Sequence, residues 1–93
     1  MERKKLIDLY DEMEDWNHKV MGHCYMKLNC ENGDVWNDCE IGESYKVYNS
    51  KEIVTIPITE IWYTCGDPTD REKVLDGLEK WIESHTRQSD MGE

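Results

Sequence analysis

Hydrophobic residues recur every three or four positions near the start of the chain, between residues 4 and 20. A period of about 3.6 residues is typical of an amphipathic helix. The inward face of this helix would carry Leu6, Leu9, Tyr10, Met13, Trp16, Asn17 and Val20. Carboxylates fall on the opposite face, and Gly22 can end the helix. The pattern therefore predicts a surface helix over residues 4–20.

A period of two residues follows in the segment CYMKLNCENGDVWNDCEI, residues 24–41. This alternation predicts a β-hairpin, and Asn32-Gly33 is predicted as its two-residue turn because both residue types tolerate positive φ angles. That turn places Met26 opposite Cys39 and leaves Cys24 diagonal to Cys39. One face would be apolar, with Cys24, Met26, Leu28, Cys30, Val35, Asn37, Cys39 and Ile41. The other would face solvent, with Tyr25, Lys27, Asn29, Glu31, Asp34, Trp36, Asp38 and Glu40.

Three further short segments are predicted as strands, namely SYKVYN, EIVTIPI and TEIWYTC, with a turn at Asn49-Ser50. Pro57 cannot donate to a β-ladder, so it is expected at a strand end or on an edge. The stretch IPITEIWY is similar to the closing segment of small SH3-like barrels.

A second amphipathic helix is predicted near the end of the chain. Asp67 would cap it, with Pro68 at the first helical position and Asp70 three residues after the cap. Its inner stripe would be Val74, Leu75, Leu78, Trp81, Ile82 and His85. Residues 87–93 are expected to form a flexible tail, which leaves residues 1–86 as a single domain.

The order of these elements predicts an α+β fold. It would consist of an N-terminal helix, an antiparallel sheet of four to five strands or a small SH3-like barrel, and a C-terminal helix.

The charge balance restricts the kinds of partner. The chain of 93 residues has a net charge of -10, which repels phosphate backbones and anionic lipid headgroups. We therefore expect no direct binding to nucleic acid or membranes, and we expect a basic protein as partner. The sequence shows no signal peptide and no apolar run of membrane-spanning length, so we expect a cytoplasmic protein.

The four cysteines do not have the spacing of a metal site, because no Cys-x-x-Cys pair occurs. Their predicted position among Met and Leu favours buried free thiols over a structural zinc site. The diagonal placement of Cys24 and Cys39, together with the expected compartment, argues against a disulfide. His23 and Cys24 would point to opposite faces of one strand, which argues against a nucleophile–base pair. We expect no enzyme activity and no cofactor, while a zinc- or thiol-dependent protein stays the weaker alternative.

Two stretches of the chain contain acids and no lysine or arginine. Residues 6–15 hold five acids and residues 28–45 hold another five. Acidic faces of this kind often serve only solubility. Tyr25 and Trp36, predicted to be exposed among the hairpin carboxylates, favour a binding surface, since exposed aromatic residues are frequent interface anchors.

In size, charge and layout the chain resembles phage-encoded inhibitors, namely anti-CRISPR proteins and other DNA mimics. The resemblance implies a non-enzymatic protein that presents carboxylates where a nuclease or regulator expects phosphates, in the cytoplasm of the host cell. From the residues we predict a partner-binding surface made of Asp8, Asp11, Glu12, Asp15, Glu31, Asp34, Trp36, Asp38 and Glu40. The alternative is a regulatory adaptor that binds a protein partner through an apolar patch; the sequence leaves the oligomeric state open.

Overall fold

The computed structural model describes residues 2–19, 22–42 and 47–87. In chain order the elements are helix α1 (Arg3–Lys19), strands β1 (Gly22–Asn29), β2 (Val35–Ile41) and β3 (Ile53–Thr55), and helices α2 (Ile58–Thr64) and α3 (Arg71–His85). The described residues form one antiparallel sheet with strand order β2-β1-β3. The α+β class is confirmed, with fewer strands than predicted.

Helix α1 forms where the 3.6-residue period predicts it. Its inward residues Leu6, Tyr10 and Met13 are buried. The Asn17 side chain fixes the helix to β1, because its Oδ1 accepts from the Cys24 amide at 2.8 Å and its Nδ2 donates to the Cys24 carbonyl at 3.2 Å. The predicted inward position of Val20 lies outside the described residues.

The hairpin forms, but its predicted register is wrong by two residues. Cys24 lies directly opposite Cys39, and Asn29 bonds to Asp34 across a four-residue loop. The loop is longer because only Gly33 has a positive φ, of 78°, whereas a type I′ turn requires two such residues. Asn29 and Asn32 instead accept backbone N–H groups two residues ahead with their side chains. A shift of two residues keeps every side chain on its predicted face.

One face of the hairpin is predicted to be exposed, but its β1 residues are covered by other parts of the chain. Tyr25 is 5% exposed and Lys27 is 4% exposed, so the predicted exposure of Tyr25 is wrong. β1 is the central strand, and the Lys27 ammonium donates to the Tyr48 carbonyl of segment 47–50, which packs over this face. Ile41, predicted on the core face, is 79% exposed at the open end of the hairpin opposite Gly22.

The three later strand predictions have different outcomes. EIVTIPI contains β3, which pairs with β1. Of SYKVYN, residues 44–46 lie outside the described residues and residues 47–49 have no regular structure. TEIWYTC is helical, so its strand prediction is wrong and the described residues form no barrel.

The helical period explains why TEIWYTC forms α2. Ile58, Ile61, Trp62 and Cys65 follow the spacing i, i+3, i+4, i+7, and all four contact the core. Tyr63 falls on the outer side and is 84% exposed. The preceding proline ends the β-ladder because it has no N–H to donate.

Helix α3 begins three residues later than predicted. Its N-cap is Asp70, whose side chain accepts from the Glu72 amide at 3.0 Å. Asp67 instead closes the preceding turn through the backbone and hydroxyl of Thr69. The predicted inner stripe is confirmed at Val74, Leu75, Leu78 and Ile82, while Trp81 is half-buried and His85 is exposed.

The helices and the sheet share one core, which places the sites described below on a single framework. Gly77 of α3 allows close approach of α2, because a Cβ there would lie 3.0 Å from Ile61 Cγ2. Arg87, predicted to start the tail, donates from its amide to the Cys30 carbonyl at 2.6 Å. The rest of the predicted tail lies outside the described residues, and the domain limits stay a prediction. None of the described helices is long and apolar enough to cross a membrane.

Candidate acidic interface

Four of the predicted binding carboxylates form a row on the outer face of α1: Asp8, Asp11, Glu12 and Asp15. All four are exposed, and we call them the helix carboxylates. A rise of about 1.5 Å per residue spreads them over roughly 10 Å of helix axis. A nucleic-acid strand carries about one charge per 3.4 Å. Carboxylates therefore recur along this row about as often as phosphates recur along one strand.

Three helix carboxylates already have partners within the protein. Asp11 forms an ion pair with Arg71 of α3, and Asp15 pairs with Lys19 at 2.8 Å, which raises the pKa of Lys19. Glu12 accepts from Asn37 Nδ2 at 2.8 Å. Exposed ion pairs of this kind contribute little to stability, so a basic partner can replace them at small cost.

The remaining predicted carboxylates lie in two other places. Glu31 and Asp34 flank the hairpin turn and are called the turn carboxylates; both are exposed, and Asp34 pairs with Lys5 of α1 at 3.3 Å. Asp38 and Glu40 are called the strand carboxylates. They are exposed on β2, on the sheet face away from α1, and neither forms an ion pair with a described residue.

Trp36 lies on the same sheet face as the strand carboxylates, but it is half-buried rather than exposed. It lies opposite Lys27 in the sheet. With Asp38 and Tyr48 it lines a shallow depression of about 320 Å³. Part of the Trp36 side chain is therefore already covered, which weakens its predicted role as an apolar anchor.

The structure therefore does not bring the predicted carboxylates together on one continuous face. The helix carboxylates and the strand carboxylates lie on opposite sides of the sheet, because alternate residues of β2 point to opposite faces. Strand β2 runs between the two groups, with Glu12 touching Asn37 on one side and Asp38 exposed on the other.

The sequence did not reveal the basic residues that neutralise part of the acidic surface. Arg3 of α1 reaches three acids of α3, with Glu72 at 3.1 Å, Asp76 at 3.0 Å and Glu79. These contacts raise the pKa of Arg3, chiefly through the hydrogen bond to Asp76. They join residues about 70 positions apart, so no local pattern could have indicated them.

An apolar groove of about 790 Å³ lies between the beginning of β1 and helix α2. His23, Tyr25, Ile58, Trp62 and Tyr63 are among the residues that line it. The sequence did not indicate this groove, because α2 was predicted as a strand.

Two of the four cysteines are bonded to each other, whereas four free thiols are expected from the sequence. Cys24 and Cys39 form a disulfide, so the prediction against a bridge is wrong. The register shift places them directly opposite each other instead of diagonally. Cys30 and Cys65 are free thiols. A disulfide is more common in oxidising compartments, so this bridge gives no support to the cytoplasmic location, which stays a prediction.

The described residues contain no group of three or more histidine, cysteine or acidic side chains placed to hold a metal ion. Cys24 is bonded to Cys39 and is not a free nucleophile in this structure. The exposed carboxylates of the site can form ion pairs and accept hydrogen bonds. Comparisons with protein-family models, curated proteins and solved structures find no match for this chain.

Proposed function

We propose that this chain is a non-enzymatic acidic binding protein that inhibits a basic nucleic-acid-binding protein, either a nuclease or a regulator, by presenting carboxylates in place of phosphates. The observation that carries the proposal is the row of exposed helix carboxylates, whose spacing along α1 is close to that of the phosphates along a nucleic-acid strand. An anti-CRISPR-like target belongs to the same proposal.

The mechanism is an exchange of ionic partners. The net charge of -10 attracts a basic surface over several ångströms and speeds association at low salt. On contact, arginines of the partner replace Arg71 and Lys19 on Asp11 and Asp15. Arginine can bind a carboxylate in a bidentate manner, which adds geometric selectivity to the attraction. A partner whose arginines are bound to these carboxylates would no longer contact nucleic acid.

The test is capture of proteins from a nuclease-treated bacterial lysate on the tagged chain, followed by stepped elution with NaCl. We expect a nucleic-acid-binding protein that elutes at moderate salt and that loses its nucleic-acid binding when the chain is added. The variant Asp8→Lys/Asp15→Lys should lose capture. The matched control Glu52→Lys/Glu83→Lys changes the net charge equally at two exposed residues away from the α1 row and from the groove beside α2, and it should retain capture.

A partner that both variants capture equally and that resists high salt would contradict the proposal. That result would favour the second candidate, an adaptor that binds through apolar residues. The groove beside α2 and the 84% exposure of Tyr63 support this alternative. The variant Tyr63→Ser would then weaken capture, whereas the mimic mechanism predicts no effect of this change.

A further inference from the structure

Strand β2 forms the outer edge of the sheet. In the order β2-β1-β3 it has a described neighbour on one side only. The central strand β1 is buried along most of its length, whereas exposure along β2 increases from Val35 towards Ile41.

The hydrogen-bond pattern shows which backbone groups of β2 point outward. The Asn29 amide donates to the Asp34 carbonyl at 2.8 Å, so this opposed pair is of the hydrogen-bonded type. Bonded and non-bonded pairs alternate along an antiparallel ladder. The outward N–H and C=O groups are therefore those of Val35, Asn37, Cys39 and Ile41.

Within the described part of the chain, these outward groups have no hydrogen-bond partner. Across residues 2–19, 22–42 and 47–87, no side chain or backbone group forms a hydrogen bond with the outward N–H or C=O groups of β2. A row of unpaired backbone groups on an edge strand is a template for another strand. We call this row the β2 edge.

The charges beside the β2 edge determine which strand fits. The strand carboxylates Asp38 and Glu40 lie on one side of it, and Glu12 lies at Asn37 on the other. A second copy paired antiparallel through β2 would bring these carboxylates close to their own counterparts, which is destabilising. A strand with lysine or arginine at alternate positions would instead place cations beside them.

We propose that the β2 edge binds an extended basic segment of the partner protein as an added β-strand. The inference rests on the proposed function and specifies how the acidic surface holds its partner. Main-chain hydrogen bonds to the β2 edge would supply affinity, as in other cases of strand addition. The carboxylates on the two sides of the strand would select basic side chains.

The probe is a synthetic seven-residue peptide of alternating lysine and threonine, titrated into the full ¹⁵N-labelled chain at low salt. The control peptide has the same sequence and charge, with N-methyl groups on two adjacent central residues. Adjacent residues donate from opposite edges of a strand, so this change blocks both edges. We expect the amide signals of the β2 edge to shift and the control peptide to bind at least tenfold more weakly.

Two variants of the protein test the same edge. Ile41→Pro removes one outward N–H without breaking a bond to β1, because Ile41 and Gly22 form a non-bonded pair. Ile41→Thr retains that N–H and is the matched control. We expect Ile41→Pro to weaken peptide binding several-fold and Ile41→Thr to leave it unchanged, with both variants giving folded spectra.

The outcomes separate this inference from the proposed function. Equal, salt-sensitive binding of both peptides, with shifts confined to α1, would overturn the inference and leave the proposed function standing. Absence of binding by either peptide at low salt would count against both. Dimerisation of the free chain in sedimentation equilibrium, abolished by Ile41→Pro, would overturn the inference in favour of a second copy on the β2 edge.

Discussion

At the level of single residues, Tyr10 connects two helices through a hydrogen bond. Its side chain is buried, and its hydroxyl accepts from Trp62 Nε1 of α2 at 2.9 Å. Burial raises the pKa of Tyr10 above its ordinary value of 10.0, and the bond from Trp62 opposes this to a smaller extent. A raised pKa favours the neutral hydroxyl in the folded state. The resulting stability is complete below pH 10 and is lost as the pH rises through the folded pKa.

The Tyr10→Phe variant tests this contact. Loss of the acceptor leaves the Trp62 N–H without its partner, so we expect the free energy of unfolding at pH 7 to fall by about 1 kcal/mol. The variant should also lose less stability than the wild type between pH 9 and pH 11. Urea denaturation followed by tryptophan fluorescence measures both, with Tyr63→Phe as the exposed control. An unchanged alkaline profile in Tyr10→Phe would show that another group causes the loss.

At the level of secondary-structure elements, the hairpin and α1 stabilise each other. The amide group of Asn37 donates to the Leu9 carbonyl and to the Glu12 carboxylate, both at distances below 3 Å. Asn17 pairs with both backbone groups of Cys24. The disulfide then joins β1 to β2 at the end of the hairpin far from the turn. Besides its backbone pairing with β1, the edge strand β2 is therefore held by the Asn37 side chain and by one disulfide.

The disulfide should contribute measurably to stability. It closes a loop with a sequence separation of 15, for which the chain-entropy relation gives about 3 kcal/mol. We expect dithiothreitol to lower the free energy of unfolding of the wild type by an amount of this order. The Cys24→Ala/Cys39→Ala variant should be less stable from the outset and insensitive to the reductant. Equal stability before and after complete reduction, verified by mass spectrometry, would contradict this expectation.

For the molecule as a whole, the excess of acids has a cost in stability. The chain has 21 acids and 11 bases, so like-charge repulsion favours expansion of the folded state. The Arg3 cluster between α1 and α3 counteracts this locally, since one guanidinium contacts three carboxylates. Its members are partly exposed, so the attraction is screened by salt like the repulsion.

Repulsion should dominate the response to salt. We expect the midpoint of thermal unfolding to rise between 10 mM and 150 mM NaCl, because screening removes more repulsion than attraction in a chain with net charge -10. Glu52→Lys/Glu83→Lys should show a smaller rise, because this variant is less negative. A midpoint that falls with salt in the wild type would mean that the ion pairs outweigh the excess charge.

Local sequence patterns determined the helices at the two ends of the chain, the hairpin and its two faces. These features depend on the periods of 3.6 and 2 residues, which are properties of neighbouring residues. The candidate carboxylates could also be named from the sequence, because charged side chains are almost always exposed. The predicted function and partner follow from charge alone and remain a proposal.

Other features required the packed chain. The register depends on how the Asn29–Asp34 loop closes, and the resulting shift of two residues brings Cys24 and Cys39 into a disulfide. The short segment TEIWYTC fits the period of a strand as well as that of a helix. Its helical form packs against α3 at Gly77. Burial of Tyr25 and the division of the carboxylates between two sides of the sheet depend on contacts between distant segments. Such contacts form when the helices and the sheet pack around one shared core. The local hydrophobic period of a segment does not specify that packing.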